Sequence, residues 1–196
     1  MSASTKISQL FSPLTIRGVT LRNRIVVSPM CQYSCEDGFA NDWHLVNLGS
    51  FARGGAGLVI AEATGVEARG RISPGCPGLW KDEHIAPWKR VVDFIKSQGA
   101  VAGIQLAHAG RKASTVAPWI GRESIPDEDG GWPTIGPSAI AFGDLVTKVP
   151  KEASLEDIEE IKEAWVAAAK RAVKAGFEVC SLKTYFKKSY FIGTRN

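Results

Sequence analysis

The sequence predicts an α/β protein built on a parallel β-sheet, and three observations carry that prediction. Apolar, β-branched runs recur along the chain as "RIVVSPM", "GLVIAEA", "VAGIQLAHAG" and "FEVCSL". Between them lie segments with helical periodicity and helix-end residues, so strands and helices alternate. The run "GLVIAEA" is almost continuously apolar, the pattern of a strand covered on both faces. Repeated βα units impose right-handed crossovers and place helices outside a parallel sheet.

The elements follow in order. "LTIRGVTLRN" gives two short alternating runs around Arg17-Gly18, a hairpin. "RIVVSPM" is a strand that stops at Pro29, which has no amide to donate. "NDWHLVNLGSFARGGAG" opens on polar capping residues and closes on glycines, as a helix does. "KDEHIAPWKRVVDFIKSQGA" is a second helix ending at Gly99, with Pro87 in the first turn, where a missing amide is harmless. Residues 109–151 are rich in Gly, Pro and Trp and too long for an idle connection, which marks a functional loop. "SLEDIEEIKEAWVAAAKRAVKAG" is the clearest helix: Ser154 and Asp157 form a capping box, and Gly176 is the C-cap. Leu155, Ile158, Ile161, Trp165, Ala168 and Ala172 fall on one of its faces. Two architectures fit this order, an open doubly wound sheet and the first half of a (β/α)₈ barrel, and periodicity does not separate them. The glycines of "RGGAG" precede a strand, so they are helix-end punctuation and not a phosphate cradle.

Composition narrows the partners. The 196 residues suffice for one well-buried domain, and 44% apolar with 22% charged residues is ordinary for a globular protein. The net charge of +4 is carried by Lys183, Lys187, Lys188 and Arg195, and the rest of the chain is balanced. Neither nucleic acid nor a membrane surface is therefore an expected partner. Cys31, Cys35, Cys76 and Cys180 are too few and too scattered for a disulfide scaffold. With no apolar leader at the N-terminus, a reducing, cytoplasmic location is expected.

In a parallel α/β protein, chemistry gathers at the carboxyl ends of the strands. Those ends are 28–33, 62–64 and 105–111. They offer small residues, a thiol, a phenol and a carboxamide, with no paired carboxylates and no Ser/His/Asp set. Such a set suits a flat heterocycle with several donors and acceptors, because a carboxamide donates and accepts at once. Each residue also has a plainer role. Cys31 and Cys35 make half a metal site at most, and a small buried Cys usually fills space. Gln105 alone serves equally to tie a strand end to a loop. His44 reads as a packed helix residue, His84 as a first-turn surface residue, and His108 as a hydrogen-bonding support just past a strand.

Taken together, "LRNRIVVSPMCQYS", "GAGLVIAEATGVEARGRISPGCPGLWKDEHI" and "GIQLAHAGRKA" resemble the Old Yellow Enzyme family. The resemblance is to its NAD(P)H-dependent FMN ene-reductases that carry a Cys near the flavin, and it runs from about Leu10 to about Phe177. It implies the N-terminal half of a TIM (β/α)₈ barrel with a bottom-closing β-hairpin. It implies FMN as cofactor, NADPH or NADH as hydride donor, and an enone or quinone as small-molecule substrate. At matching positions Ser28, Pro29, Met30 and Cys31, Ala63 and Gln105 would contact the flavin, and Tyr33 would bind the substrate oxygen. Cys31 would tune the flavin from its ring edge.

One stretch departs from the family. Where its members carry a segment like H-x-A-H-G-Y, which supplies a histidine pair and a proton-donating tyrosine, this chain reads "FEVCSLKTYFKK", and no histidine follows His108. Neither Tyr185 nor Tyr190 has the motif around it, so the resemblance transfers no catalytic residue. The expected division is therefore 10–179 as a partial, C-terminally truncated flavin-binding barrel and 180–196 as an unrelated, disordered basic tail. Two functions are compatible with it: an ene-reductase of NADPH dehydrogenase type, and a non-catalytic fragment or isoform that associates through its exposed half-barrel edges.

Overall fold

The computed structural model describes residues 8–184, so most of the expected tail, including Tyr185 and Tyr190, lies outside the described residues. The chain opens with a hairpin of β1 (Leu14–Ile16) and β2 (Val19–Leu21), paired antiparallel across a turn in which Arg17 takes a positive φ. Then come β3 (Val26–Val27), α1 (Asp42–Arg53), β4 (Leu58–Gly65), α2 (Ile85–Ser97) and β5 (Val101–His108). The long loop contributes a small parallel ladder of β6 (Ile135–Gly136) with β7 (Lys151–Glu152), before α3 (Leu155–Ala175) and β8 (Val179–Thr184).

The strand order decides between the two architectures. The main sheet runs β3-β4-β5-β8, all neighbours parallel, so each crossover steps the same way along the sheet. A doubly wound sheet must reverse that direction at a switch point, and this one does not. The helices are correspondingly all on one side, where α1 packs on α2 and α2 on α3. Their inward residues Leu48, Trp88, Val92, Ile95, Ala168 and Ala172 share one core with Val59, Ala102, Ile104 and Leu106 of the sheet. This is the wall of a (β/α)₈ barrel, four strands of it.

The other sheet face points to the barrel interior. At its amino end Leu21, Leu58 and Val101 form a second cluster, closed by Val19, Ile60 and Val179. The hairpin thus plugs the bottom. Arg22 locks it there: its guanidinium donates to the carbonyls of Ala52 (2.8 Å) and Gln98 (2.7 Å), at the C-terminal ends of α1 and α2. A cation at two helix C-termini also meets their negative dipole ends.

Helix ends form as the sequence predicts. Asn41 caps α1, Ser154 and Asp157 form the capping box of α3, and Gly176 closes α3 at φ 95°. Leu155 and Ile158 are exposed at 85% and 46%, and Ile158 lies with Trp165 beside Leu182 of β8, at the free edge of the sheet. One expectation fails. His84, expected on the surface, is fully buried. It ends a 3₁₀ turn that tucks the ring between Phe39 and Trp80, at centroid distances of 4.7 and 4.6 Å, while Nε2–H donates to the Asp37 carbonyl at 3.0 Å.

Candidate active site

A β-bulge sets the geometry at the carboxyl end of the sheet. The register of β4 on β5 shifts between Ala61 and Ala63, leaving Glu62 as the extra residue. Bulges re-aim side chains, and the Glu62 carboxylate turns out of the ladder. It accepts the Gln32 backbone N–H at 2.8 Å and lies 3.3 Å from Nε2 of the buried His44. Glu62 thereby anchors the segment after β3 to both β4 and α1. The shift also brings Ala63 opposite Gln105, which is itself opposite Ser181 on β8. Because side chains alternate along a strand, Ala63, Gln105 and Ser181 form one row on the interior face.

Gln105 is half-buried in the middle of that row, and its carboxamide makes no hydrogen bond among the described residues. It does not tie the strand end to a loop. An unpartnered amide flanked by an alanine and a serine is a ready donor and acceptor for something flat laid on the row.

The segment after β3 borders it. Ser28 and Met30 are exposed and Pro29 half-buried, while the Met30 carbonyl accepts from the Gln32 carboxamide at 2.8 Å. Cys31 is half-buried, and its thiol lies beside the Ala63 backbone N–H and the Tyr33 hydroxyl. Tyr33 holds a left-handed φ of 50°, an unfavourable backbone for a residue with a Cβ. Gly75 makes room for it: a Cβ there would stand 2.5 Å from the Tyr33 carbonyl oxygen. The outlier aims the phenol at Cys31 and its ring at Trp119, with centroids 5.6 Å apart and nearly perpendicular planes.

Burial, followed by the charge of Glu62, raises the thiol pKa of Cys31. Burial also raises those of Tyr33 and Cys35, and pushes that of Cys76 up to about 12. Near neutral pH these groups are uncharged. Cys31 is then a polarizable contact and not a nucleophile, since reaction needs the thiolate. Among the described residues no group of three or more His, Cys, Asp and Glu is placed to hold a metal ion.

His108 supports the rim. Its Nδ1 accepts the Gly110 N–H at 3.0 Å, so Nε2–H donates to Glu67 at 2.7 Å and ties the loop after β5 to the loop after β4. Burial raises the Glu67 pKa, but the bonds from His108 and Arg69 outweigh it, and the net shift is downward. The long loop adds what single motifs did not show. Lys148, on its far limb, donates to Asp127 at 2.6 Å, to the Trp132 carbonyl at 3.2 Å and to the Ser114 hydroxyl at 3.3 Å, folding the loop onto itself. Above Tyr33 this loop encloses a cavity of about 650 Å³, walled by Ile72, Val116, Phe142 and Val146 among others. The clue was the loop's length and its tryptophans, but no pattern in the sequence assigned a residue.

Comparison with known proteins agrees with this geometry. The family described as NADH:flavin oxidoreductase / NADH oxidase matches residues 9–192. The match runs past the expected boundary at 179, as does β8, which stays in register with β5 to Thr184. An NADH:flavin oxidoreductase of Gibberella zeae is 50% identical over 184 residues, covering 92% of this chain and 44% of that protein. An NADPH dehydrogenase of a Geobacillus species is 46% identical over 177 residues, covering 89% and 47%. Among solved structures, morphinone reductase superposes with a TM-score of 0.73 at 29% identity, covering 91% of this chain and 49% of its own. An Old Yellow Enzyme from Pichia sp. AKU4542 superposes with a TM-score of 0.75 at 26% identity, covering 90% and 46%. The chain spans about half the length of the curated relatives it matches. With the family matched over nearly all of its length, on a four-strand barrel wall, the chain belongs to the NADH:flavin oxidoreductase / NADH oxidase family, that of the Old Yellow Enzymes.

Proposed function

We propose that the row of Ala63, Gln105 and Ser181, with the segment 28–31, holds the isoalloxazine of FMN in an NAD(P)H-dependent oxidoreductase that reduces activated alkenes such as enones. The observation that carries this is the unpartnered Gln105 carboxamide, set between small residues at the carboxyl end of a barrel wall. FMN, when bound, supplies the hydride chemistry. Gln105 would donate to and accept from the edge of the ring, and the small side chains of Ser28 and Ala63 would leave it room beside the backbone. Pro29, Met30 and the neutral Cys31 thiol would border it. The Tyr33 hydroxyl, beside Cys31, would hold the substrate oxygen under the cavity. Glu62 and His44 hold the segment after β3 in place while this happens. The flavin-binding unit runs from residue 10 through β8, and its four free cysteines suit a cytoplasmic enzyme.

Expression with FMN in excess tests the reading. A yellow protein that oxidises NADPH with an enone or quinone acceptor is the expected result, and Gln105→Leu should release the colour. Colourless protein under those conditions would sink it. A second reading, self-association through the sheet edge, is favoured by Leu182 on β8, which is 70% exposed beside Ile158 and Trp165 of α3. Light scattering on the chain and on Leu182→Glu tests it: a dimer that the substitution dissolves is expected, and a monomer in both discards it.

A further inference from the structure

We propose that the cavity above Tyr33 selects alkenes whose apolar body carries an acidic group, and that the Arg122 guanidinium binds that acid. The choice of an alkene rests on the function proposed above; the acid-binding residue does not. The cavity's volume of about 650 Å³ is several times what a small cyclic enone fills and lies within the range of ligand sites. Its walls are chiefly apolar, with Lys112, Arg122 and Asp144 as the charged residues among those lining it.

The disposition of charge around the cavity singles out Arg122. The nearest acid in sequence, Glu123, turns its carboxylate onto the Arg122 backbone N–H at 2.7 Å. The Arg122 side chain forms no ion pair among the described residues. Lys112 lies over the Phe142 ring at 4.4 Å, and Arg111 faces the same ring at 5.5 Å while donating to the Ala141 carbonyl. Asp144 also lines the cavity and forms no ion pair with Arg122. Around the cavity Lys112, Arg111 and Arg122 thus outnumber Glu123 and Asp144, and Arg122 is the planar, bidentate donor suited to a carboxylate. The aromatic body of such a ligand meets Phe142, Val116 and the Tyr33 ring, with its reactive end toward the tyrosine hydroxyl.

Calorimetric titration of the full 196-residue chain with para-carboxybenzylideneacetone, whose carboxylate lies across the ring from its enone, and with the corresponding carboxamide as its neutral isostere, tests this at low ionic strength. The acid should bind about fivefold more tightly than the amide. The preference should vanish in Arg122→Gln, whose backbone bond to Glu123 is retained, and should grow in Asp144→Asn. No binding of the acid, equal binding of the pair, or a preference that survives Arg122→Gln overturns the assignment. Arg122-dependent binding of 2′,5′-ADP in place of the enone acid would give the guanidinium to the phosphate of the hydride donor and overturn it too. The titration requires no FMN, so a colourless protein that still prefers the acid removes the flavin reading alone.

Discussion

The two ends of the interior sheet face use the same strands and the same alternation, yet they are filled differently. At the amino end Leu21, Leu58 and Val101 close on one another to form the plug. At the carboxyl end the same face presents Ala63, Gln105 and Ser181, with a carboxamide that has no partner among the described residues. An unpaired polar group contributes nothing to folding, so in the reading proposed above the carboxyl end serves a ligand while the amino end serves stability. A single sheet divides the two tasks along its length.

That division can be broken, most severely from below. Leu58→Ala removes a side chain that is 8% exposed, at the base of the plug, and should cost about 2–5 kcal/mol. Urea denaturation reads the loss, while FMN binding by the protein that remains folded should be unaltered. Acid attacks the upper end next. Burial depresses the pKa of His84, whose Nδ1 has no partner. The folded state therefore binds this proton less readily than the unfolded chain. The corresponding stability is present above the ordinary value of 6.5 and is lost as pH falls below it. Hydrogen exchange in the 35–40 segment should accelerate through that window before the sheet core does, and His84→Phe should remove the effect.

The smaller effects sharpen the contrast. Gln105→Met should alter stability by no more than about 0.5 kcal/mol, since no hydrogen bond among the described residues is lost. The same substitution should weaken FMN binding at least tenfold, on the scale of lost paired hydrogen bonds. A large stability loss with FMN binding intact would reverse the roles given to the two ends. Smallest is the effect on Cys31: with its pKa raised from 9.0, alkylation by iodoacetamide at neutral pH should be slower than that of a free thiol and should accelerate only above pH 9. Rapid alkylation at pH 7 would instead mark a reactive thiolate.

Much of the fold was legible because it is written in local patterns. The apolar run 58–63, the Ser154–Asp157 box and Gly176 each specify their element through backbone chemistry that neighbours alone enforce. Where a residue's fate depended on a distant element, local pattern failed. His84 reads as a surface residue until Phe39 and Trp80 close over it. At the site, the strand ends named the residue types, but the bulge at Glu62 decided their register. A one-residue shift turns every side chain that follows it to the opposite face.

By itself, then, the sequence determined the alternation of strands and helices, the family, and which residues would stand at the carboxyl ends. Only the tertiary structure decided that the sheet winds one way, that Gln105 is left without a partner among the described residues, and that the long loop raises a cavity over Tyr33. Helix caps and strand periods act over a few residues, within reach of a single stretch of chain. Winding, register and cavities arise from contacts between residues far apart in sequence, and those contacts exist only once the chain has folded.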